Sequence, residues 1–296
     1  MMLLCSLLGI VLIAIAVRDV FQTLFQPSSN SSLSWAIARL TWHGFRVVAR
    51  RRRAIMALAG PMAIVFTVAV WGVLIAVGWA LLYWPHLPDS FVLDPALDSS
   101  SQAGFGDALY VSLITLSTLG YGDFAPETPL LRVLAPLEAI VGFILFSAVI
   151  AWVLSLYPAI ARRRALVEEA SLVRAAAATT GMRVTDLDPP SAEGILEVLT
   201  SKVVAVQDDL VHFPISYYFP SREDRGTLAE ALPFLLSLAE QATDDACPDG
   251  VRFRATMLCE ALNDVSAVLG TEFLSEPHGS TAEVFATLAR DQMWTA

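Results

Sequence analysis

The chain is 296 residues long, 55% hydrophobic and only 16% charged, with a formal net charge of −10. That composition is too apolar for an ordinary soluble protein of two domains, and nucleic acid is not an expected partner. The charge is also unevenly spread: residues 1–164 hold 11 Lys plus Arg against 8 Asp plus Glu, which leaves 8 basic and 21 acidic residues, a net of −13, in the remainder. A membrane half therefore precedes an acidic, water-soluble half.

Residues 2–25 are almost wholly apolar, interrupted by Arg18-Asp19. No Lys or Arg precedes the run and no small-residue cleavage site follows it, so an uncleaved membrane helix of about 23 residues is expected. Asp19 must find a partner or reach the interface beside Arg18. Pro27 to Ser32 form a polar break. From Trp35 to Arg53, arginines alternate with Ile37, Leu40, Trp42, Phe45 and Val47, a pattern that suits a helix on the membrane surface. Arg50, Arg51, Arg52 and Arg53 mark the cytoplasmic side and offer contacts to anionic lipid.

Gly60-Pro61 opens a second span, which runs to about Trp84 and gathers Trp79, Tyr83 and Trp84 at one end, as interfacial aromatics do. Residues 86–104 carry Asp89, Asp94 and Asp98 without a basic residue, which places this linker outside. Asp107 to Ser117 is too short to cross a bilayer but long enough for a half-crossing helix. Thr128-Pro129 fits a helix start, and a third span of roughly 42 Å is expected from Leu130 to Tyr157, ending at Pro158 before Arg162, Arg163 and Arg164. Both basic clusters then lie on one side, with the amino terminus outside and the carboxyl terminus in the cytoplasm.

Between the second and third spans lies Thr118-Leu119-Gly120-Tyr121-Gly122-Asp123. Non-helical backbone at membrane depth is tolerated only where protein buries it or it lines water. Stripping water from K⁺ requires a dense ladder of oxygens. Successive carbonyls supply one when residues alternate between conformations of opposite hand, and Gly120 and Gly122 reach positive φ without a Cβ clash. The Thr118 hydroxyl adds an oxygen at the inner end, and the carboxyl end of the half-crossing helix favours a cation at mid-membrane. Leu119 and Tyr121 are expected to wedge the loop outward against that helix, with Tyr110 as neighbour of Tyr121. One copy supplies one quarter of a ring, so a homotetramer is expected.

Residues 60–160 resemble the two-transmembrane pore-loop potassium channel family of bacteria, with an extra amino-terminal helix. The resemblance implies a filter that binds its ion through backbone carbonyls, on the matching residues Thr118 to Gly122. Leu119 replaces the commoner valine. The resemblance also implies a hinge at Gly142, a cavity lined by Phe143, Phe146 and Ile150, and K⁺ as permeant ion bound at the filter only. Glu138 lies a turn above Gly142 and, with Asp123 and Tyr110, is a candidate support of the filter; a bond from Glu138 to the pore loop and a water-facing position both stay open. Pro136 is expected to loosen the helix nearby. Ile114 is apolar, so no acid is placed behind the filter to meet Asp123.

The expected domains are 1–26, an amino-terminal membrane helix; 27–59, a basic interfacial segment; 60–160, the pore domain; and 161–296, an acidic all-α cytoplasmic domain. Thr227 to Glu230 and Ser280 to Glu283 are capping boxes, residues 191–211 and 251–269 are helical in pattern, and Phe213 to Pro220 form an aromatic loop. No Gly-x-Gly-x-x-Gly fingerprint occurs, which argues against a nucleotide-binding gating domain. Cys5, Cys247 and Cys259 make an odd count without metal-ligand spacing, and His43, His86, His212 and His278 are scattered. No cofactor and no enzymatic activity are expected. The fold class is an all-α membrane protein of pore-loop potassium channel architecture, with three spans, a re-entrant pore helix and a filter, followed by an all-α cytoplasmic domain. The function implied is passive K⁺ conduction; a weakly selective cation channel and a non-conducting membrane sensor are the alternatives. The carboxyl-terminal domain is assigned to assembly first, and no span carries the arginine repeat of a voltage sensor.

Overall fold

A computed structural model describes residues 2–25, 33–48, 58–93, 104–219, 226–274 and 279–292. The Arg50 to Arg53 cluster, Asp94, Asp98, His278 and the break from Pro27 to Ser32 lie outside these described residues. The chain divides into two compact units, the first of residues 1–26, 32–34 and 65–154, the second of 27–31, 35–64 and 155–296.

The elements, in order, begin with α1 (Met2–Phe25), α2 (Leu33–Val48) and α3 (Ala59–Tyr83). A short strand β1 (Phe91–Leu93), the half-length helix α4 (Phe105–Leu116) and strand β2 (Phe124–Pro126) follow. The long α5 (Pro129–Thr180) leads to α6 (Pro189–His212), α7 (Leu228–Ala242), α8 (Asp249–Val268) and α9 (Thr281–Gln292). Among the described residues, three helices are long and apolar enough to cross a membrane: Met2–Leu24, Ala59–His86 and Pro129–Thr180.

In the first unit, α1 lies directly on α3. A Cβ on Gly9 would run into the Gly78 carbonyl, and one on Gly78 would run into Ile13, so the two backbones touch where each helix has no side chain. Small residues at a crossing are how apolar helices gain packing when lipid offers no hydrophobic drive. Asp19 is buried and well supplied with donors. The Leu33 and Ser34 amides reach it at 2.6 and 3.2 Å, the Ser34 hydroxyl at 2.5 Å and the Trp71 indole at 2.7 Å. The carboxylate thus caps the first turn of α2 and ties α3 to α1, which settles its place as a helix-to-helix contact rather than a side chain reaching for water.

α3 starts with Pro61 in its first turn, where the missing N–H costs nothing. It contributes Ile75, Trp79, Ala80 and Tyr83 to a core shared with Ala16, Phe91, Ala108, Val111 and Leu131. β1 and β2 pair antiparallel, Phe91 opposite Pro126 and Leu93 opposite Phe124, and no strand was expected here.

α5 corrects the expected third span. Pro158 does not end it; the helix continues to Thr180. Proline removes one backbone donor and crowds the preceding turn, yet Ala161, Arg162, Arg163, Arg164, Ala165 and Leu166 are strong helix formers and carry the helix on. Pro136 likewise lies within uninterrupted helix.

The second unit is helical. α6 begins at Asp188, whose carboxylate accepts the Ser191 amide at 3.2 Å, and it packs on α8; Leu196, Leu199 and Val203 of α6 and Leu258, Leu262 and Val265 of α8 are buried. Leu232 and Leu235 of α7 and Phe285 and Leu288 of α9 are buried as well. The segment after α6 is not a loop but a 3₁₀ turn, Pro214–Tyr218, with Tyr217 and Tyr218 buried. Arg163 is 6% exposed and donates to the Ser216 and Phe219 carbonyls at the end of this turn.

The helix expected on the membrane surface, α2, packs one face within this unit. Trp42 of α2 is buried, its ring 5.6 Å from that of Tyr218 and 6.4 Å from that of Tyr217. Arg46 pairs with Asp291 at 2.8 Å. An amphipathic helix must bury one face, and here an aromatic protein surface takes that face. Leu40 and Val47 remain exposed on its outer side.

A re-entrant helix, an alternating loop and a buried carboxylate

The loop of interest is aimed by α4. Gly104 precedes that helix, and its amide is held by the Asp107 carboxylate at 2.8 Å, a negative group where the helix dipole favours one. At the other end, the Ile114 carbonyl accepts the Leu119 amide at 2.9 Å and the Gly120 amide at 3.2 Å. The Thr115 carbonyl accepts the Thr118 amide at 2.9 Å. The chain therefore leaves the helix axis within one turn while the Ile114 and Thr115 carbonyls stay satisfied.

Along the loop, φ is +59° at Thr118, +52° at Gly120 and +83° at Gly122. Leu119 and Tyr121 do not share this sign, so residues of opposite hand alternate along the loop. The glycines reach this conformation freely. Thr118 does not, and a left-handed threonine costs roughly 1–2 kcal/mol, which the bonds at the end of α4 offset.

Past the loop, the Tyr110 hydroxyl donates to Asp123 Oδ2 at 2.6 Å, and the Tyr110 ring meets Phe124 edge-on with centroids 6.1 Å apart. Tyr110, expected as a neighbour of Tyr121, takes Asp123 as its hydrogen-bond partner. The phenol seeks the nearest strong acceptor, and that is the carboxylate. The Glu127 amide bonds the Ser90 carbonyl at 2.9 Å, continuing the β1–β2 pairing and fastening the loop's outer end to the segment after α3. Leu119 and Tyr121 are 59% and 69% exposed, so neither wedges the loop against its own chain's pore helix.

Glu138 of α5 is fully buried. Its Oε1 accepts the Ser112 hydroxyl at 2.5 Å and its Oε2 the Tyr83 hydroxyl at 2.6 Å. One carboxylate thereby joins α3, α4 and α5, and it braces α4 rather than bonding the loop from Thr118 to Gly122 or facing water. Four residues on, a Cβ at Gly142 would collide with the Leu116 carbonyl, the last of α4. Helix α5 is continuous through Gly142, so what the structure displays there is close approach to the pore helix, not a bend.

Phe143 and Phe146 are exposed and border an apolar groove of about 580 Å³, which also touches Leu116, Thr118 and Gly72. Ile150 is exposed but does not border this groove; Val149 does. Sequence reasoning did not find Ser112, Tyr83, Gly9, Gly78 or the left-handed Thr118. A lone serine among apolar residues of a re-entrant helix was the available signal for Ser112.

These elements define an all-α membrane protein of pore-loop channel architecture. Residues 66–157 match the family model described as "Ion channel", a stretch that takes in the first unit's loop and the helices on either side of it. The chain is similar to the "Uncharacterized membrane protein YdjJ" of Bacillus subtilis, 24% identical over 161 residues, covering 54% of this chain and 46% of that protein. It is also similar to "Two-pore potassium channel 5" of Arabidopsis thaliana, 44% identical over 54 residues, covering 17% of this chain and 13% of that protein. The chain thus spans less than half the length of these relatives. No solved structure matches it.

Proposed function

We propose that the chain is one quarter of a passive K⁺-selective channel, in which the carbonyl oxygens from Thr118 to Gly122, with the Thr118 hydroxyl, replace the hydration shell of the ion. The observation that carries this reading is the alternation of hand at Thr118, Gly120 and Gly122, which a loop needs if consecutive carbonyls are to face one axis. The similarity of a short segment to a protein named as a potassium channel supports the choice of ion. Four copies close the ring, and Leu119 and Tyr121, uncovered within one chain, then meet a neighbouring copy.

The basic clusters orient the chain with its amino terminus outside, its carboxyl-terminal helices in the cytoplasm and Arg50 to Arg53 beside the inner leaflet, where anionic lipid is a partner. Gly142 and the cavity side chains Phe143, Phe146 and Ile150 belong to the moving inner helix in this scheme.

The test is ion flux into liposomes holding the purified full-length protein. K⁺ flux that Na⁺ does not replace, and that falls at least tenfold in Gly120→Ala with assembly intact, is the expected result. At φ +52° an added Cβ meets no neighbouring atom, so the effect is one of backbone hand rather than of crowding. Equal K⁺ and Na⁺ flux assigns a weakly selective cation channel instead.

A further inference from the structure

The carboxyl-terminal part of the chain, residues 165–296, carries a net charge of −13, yet one cavity of the second unit has the opposite sign. It encloses about 320 Å³ between α2, the 3₁₀ turn Pro214–Tyr218 and α9. Arg39, Arg46 and Arg290 border it, and Asp291 is its acidic group. Three guanidinium groups against one carboxylate leave +2, before any charge on His43.

The pairing is incomplete in a specific way. Asp291 is already shared, its Oδ1 accepting from Arg46 at 2.8 Å and its Oδ2 from the Tyr217 hydroxyl at 2.6 Å. The Arg39 guanidinium lies 4.9 Å over the Trp35 ring, and Arg290 donates to the Thr287 hydroxyl at 2.7 Å. Among the described residues neither Arg39 nor Arg290 meets a carboxylate, although the unit around them is rich in acids. Guanidinium groups held near one another without counter-charge repel, and a bound anion removes that cost.

The remaining wall is aromatic. Trp42 and Tyr218 are buried side by side, and Tyr217 stacks on Phe273 with centroids 4.4 Å apart. Burial pushes the Tyr218 hydroxyl up to about 12 while the charge of Arg39 pulls the other way, so the phenol keeps its proton at neutral pH. The cavity therefore offers cationic forks and flat apolar rings within the volume of a small organic molecule.

We propose that this cavity binds a small organic phosphate monoester, the phosphate held by Arg39, Arg46 and Arg290 and the organic part lying against Trp42 and Tyr218. A phosphate monoester carries close to two negative charges at neutral pH, which matches the local +2; a single carboxylate would neutralise half of it. The same chemistry comes from two sources, a soluble metabolite or the headgroup of a phosphatidic-acid lipid. The site is independent of whether the pore conducts.

Isothermal titration calorimetry of the full-length protein in neutral detergent tests it, with phenyl phosphate, inorganic phosphate and short-chain dihexanoyl phosphatidic acid as probes. Saturable phenyl phosphate binding is expected, weakened about tenfold by Arg39→Gln and by Arg290→Gln separately, since each removes charge-assisted hydrogen bonds. Both side chains are exposed, so an unchanged melting temperature certifies each variant. Phosphatidic acid binding more tightly than phenyl phosphate, with the same arginine dependence, supports the site and assigns the lipid source; the reverse order supports it and assigns a soluble one. No binding of any probe at millimolar concentration, or binding that survives in both variants, overturns the proposal. Inorganic phosphate binding as tightly as phenyl phosphate overturns the part given to the aromatic wall.

Discussion

Glu138 receives two hydroxyl groups from residues 26 and 55 positions away in sequence, and its removal strands both in a place water does not reach. Each unmet buried donor costs about 1–3 kcal/mol, so Glu138→Ala is expected to lower the melting temperature of the purified protein sharply. Glu138→Gln keeps an acceptor for one hydroxyl and a donor for the other, and is expected to stay near the parent; equal melting of all three proteins would show that the carboxylate braces nothing. Gly142 makes a matched case for space. A methyl group there displaces the Leu116 carbonyl at the base of the loop, whereas a methyl at Gly72, which borders the same groove, meets no atom. Gly142→Ala is therefore expected to reduce ion flux at least tenfold and Gly72→Ala to leave it unchanged. At this scale the sequence was legible where residue type and conformation coincide, as at Gly120 and Gly122. It was silent at Thr118, whose φ of +59° is imposed by bonds to the end of α4, and it showed that Glu138 needed a partner without showing which.

Elements were legible to the extent that periodicity speaks to one face of a helix at a time. The three long apolar helices and the helices of the second unit announce themselves by period and by caps, such as Glu283, which accepts the Ser280 amide at 2.8 Å. That cap carries a pH dependence. The Ser280 amide and hydroxyl hold the Glu283 carboxyl below its ordinary value of 4.5, so the folded state binds that proton less readily than the unfolded chain. The contribution is whole above the ordinary value and is lost as pH falls through the depressed one. Hydrogen exchange at the first amides of α9 is expected to quicken on acidification through this range, and Glu283→Gln, which caps without titrating, is expected to flatten the response. What periodicity did not reveal is what covers a face. Helix α2 has the amphipathic pattern of a membrane-surface helix, but the pattern is the same whether lipid or the rings of Tyr217 and Tyr218 lie opposite Trp42. Likewise Pro158 reads as a stop because proline opposes helix locally, and the run of helix formers after it outweighs that single residue over the 52 residues of α5. The β1–β2 pair is three residues on each side and joins positions about 30 apart, too short and too distant for any local pattern to mark.

For the whole molecule, the question raised by one loop is how many chains share it. Within a single chain the side chains beside the loop are uncovered: Leu119 and Tyr121 on its flank, Phe143 and Phe146 on the helix below. Uncovered apolar groups gain by meeting another copy of themselves, and rotational closure would repeat each contact around the proposed ring. The assembly number leaves a quantitative trace when active and inactive chains are mixed. With wild-type and Gly120→Ala chains combined in equal amounts before assembly, random association leaves all-wild-type rings in a fraction of (1/2)⁴, about one-sixteenth, if four chains share the pore. If four copies each supply one wall of the ion site, as proposed, a single altered loop deforms the whole ring, and K⁺ flux per chain is expected to fall to about 6% of the unmixed value. A dimer carrying the conducting unit would leave about one quarter and independent chains about one half, so flux measured across a series of mixing ratios distinguishes the three by the power with which it declines.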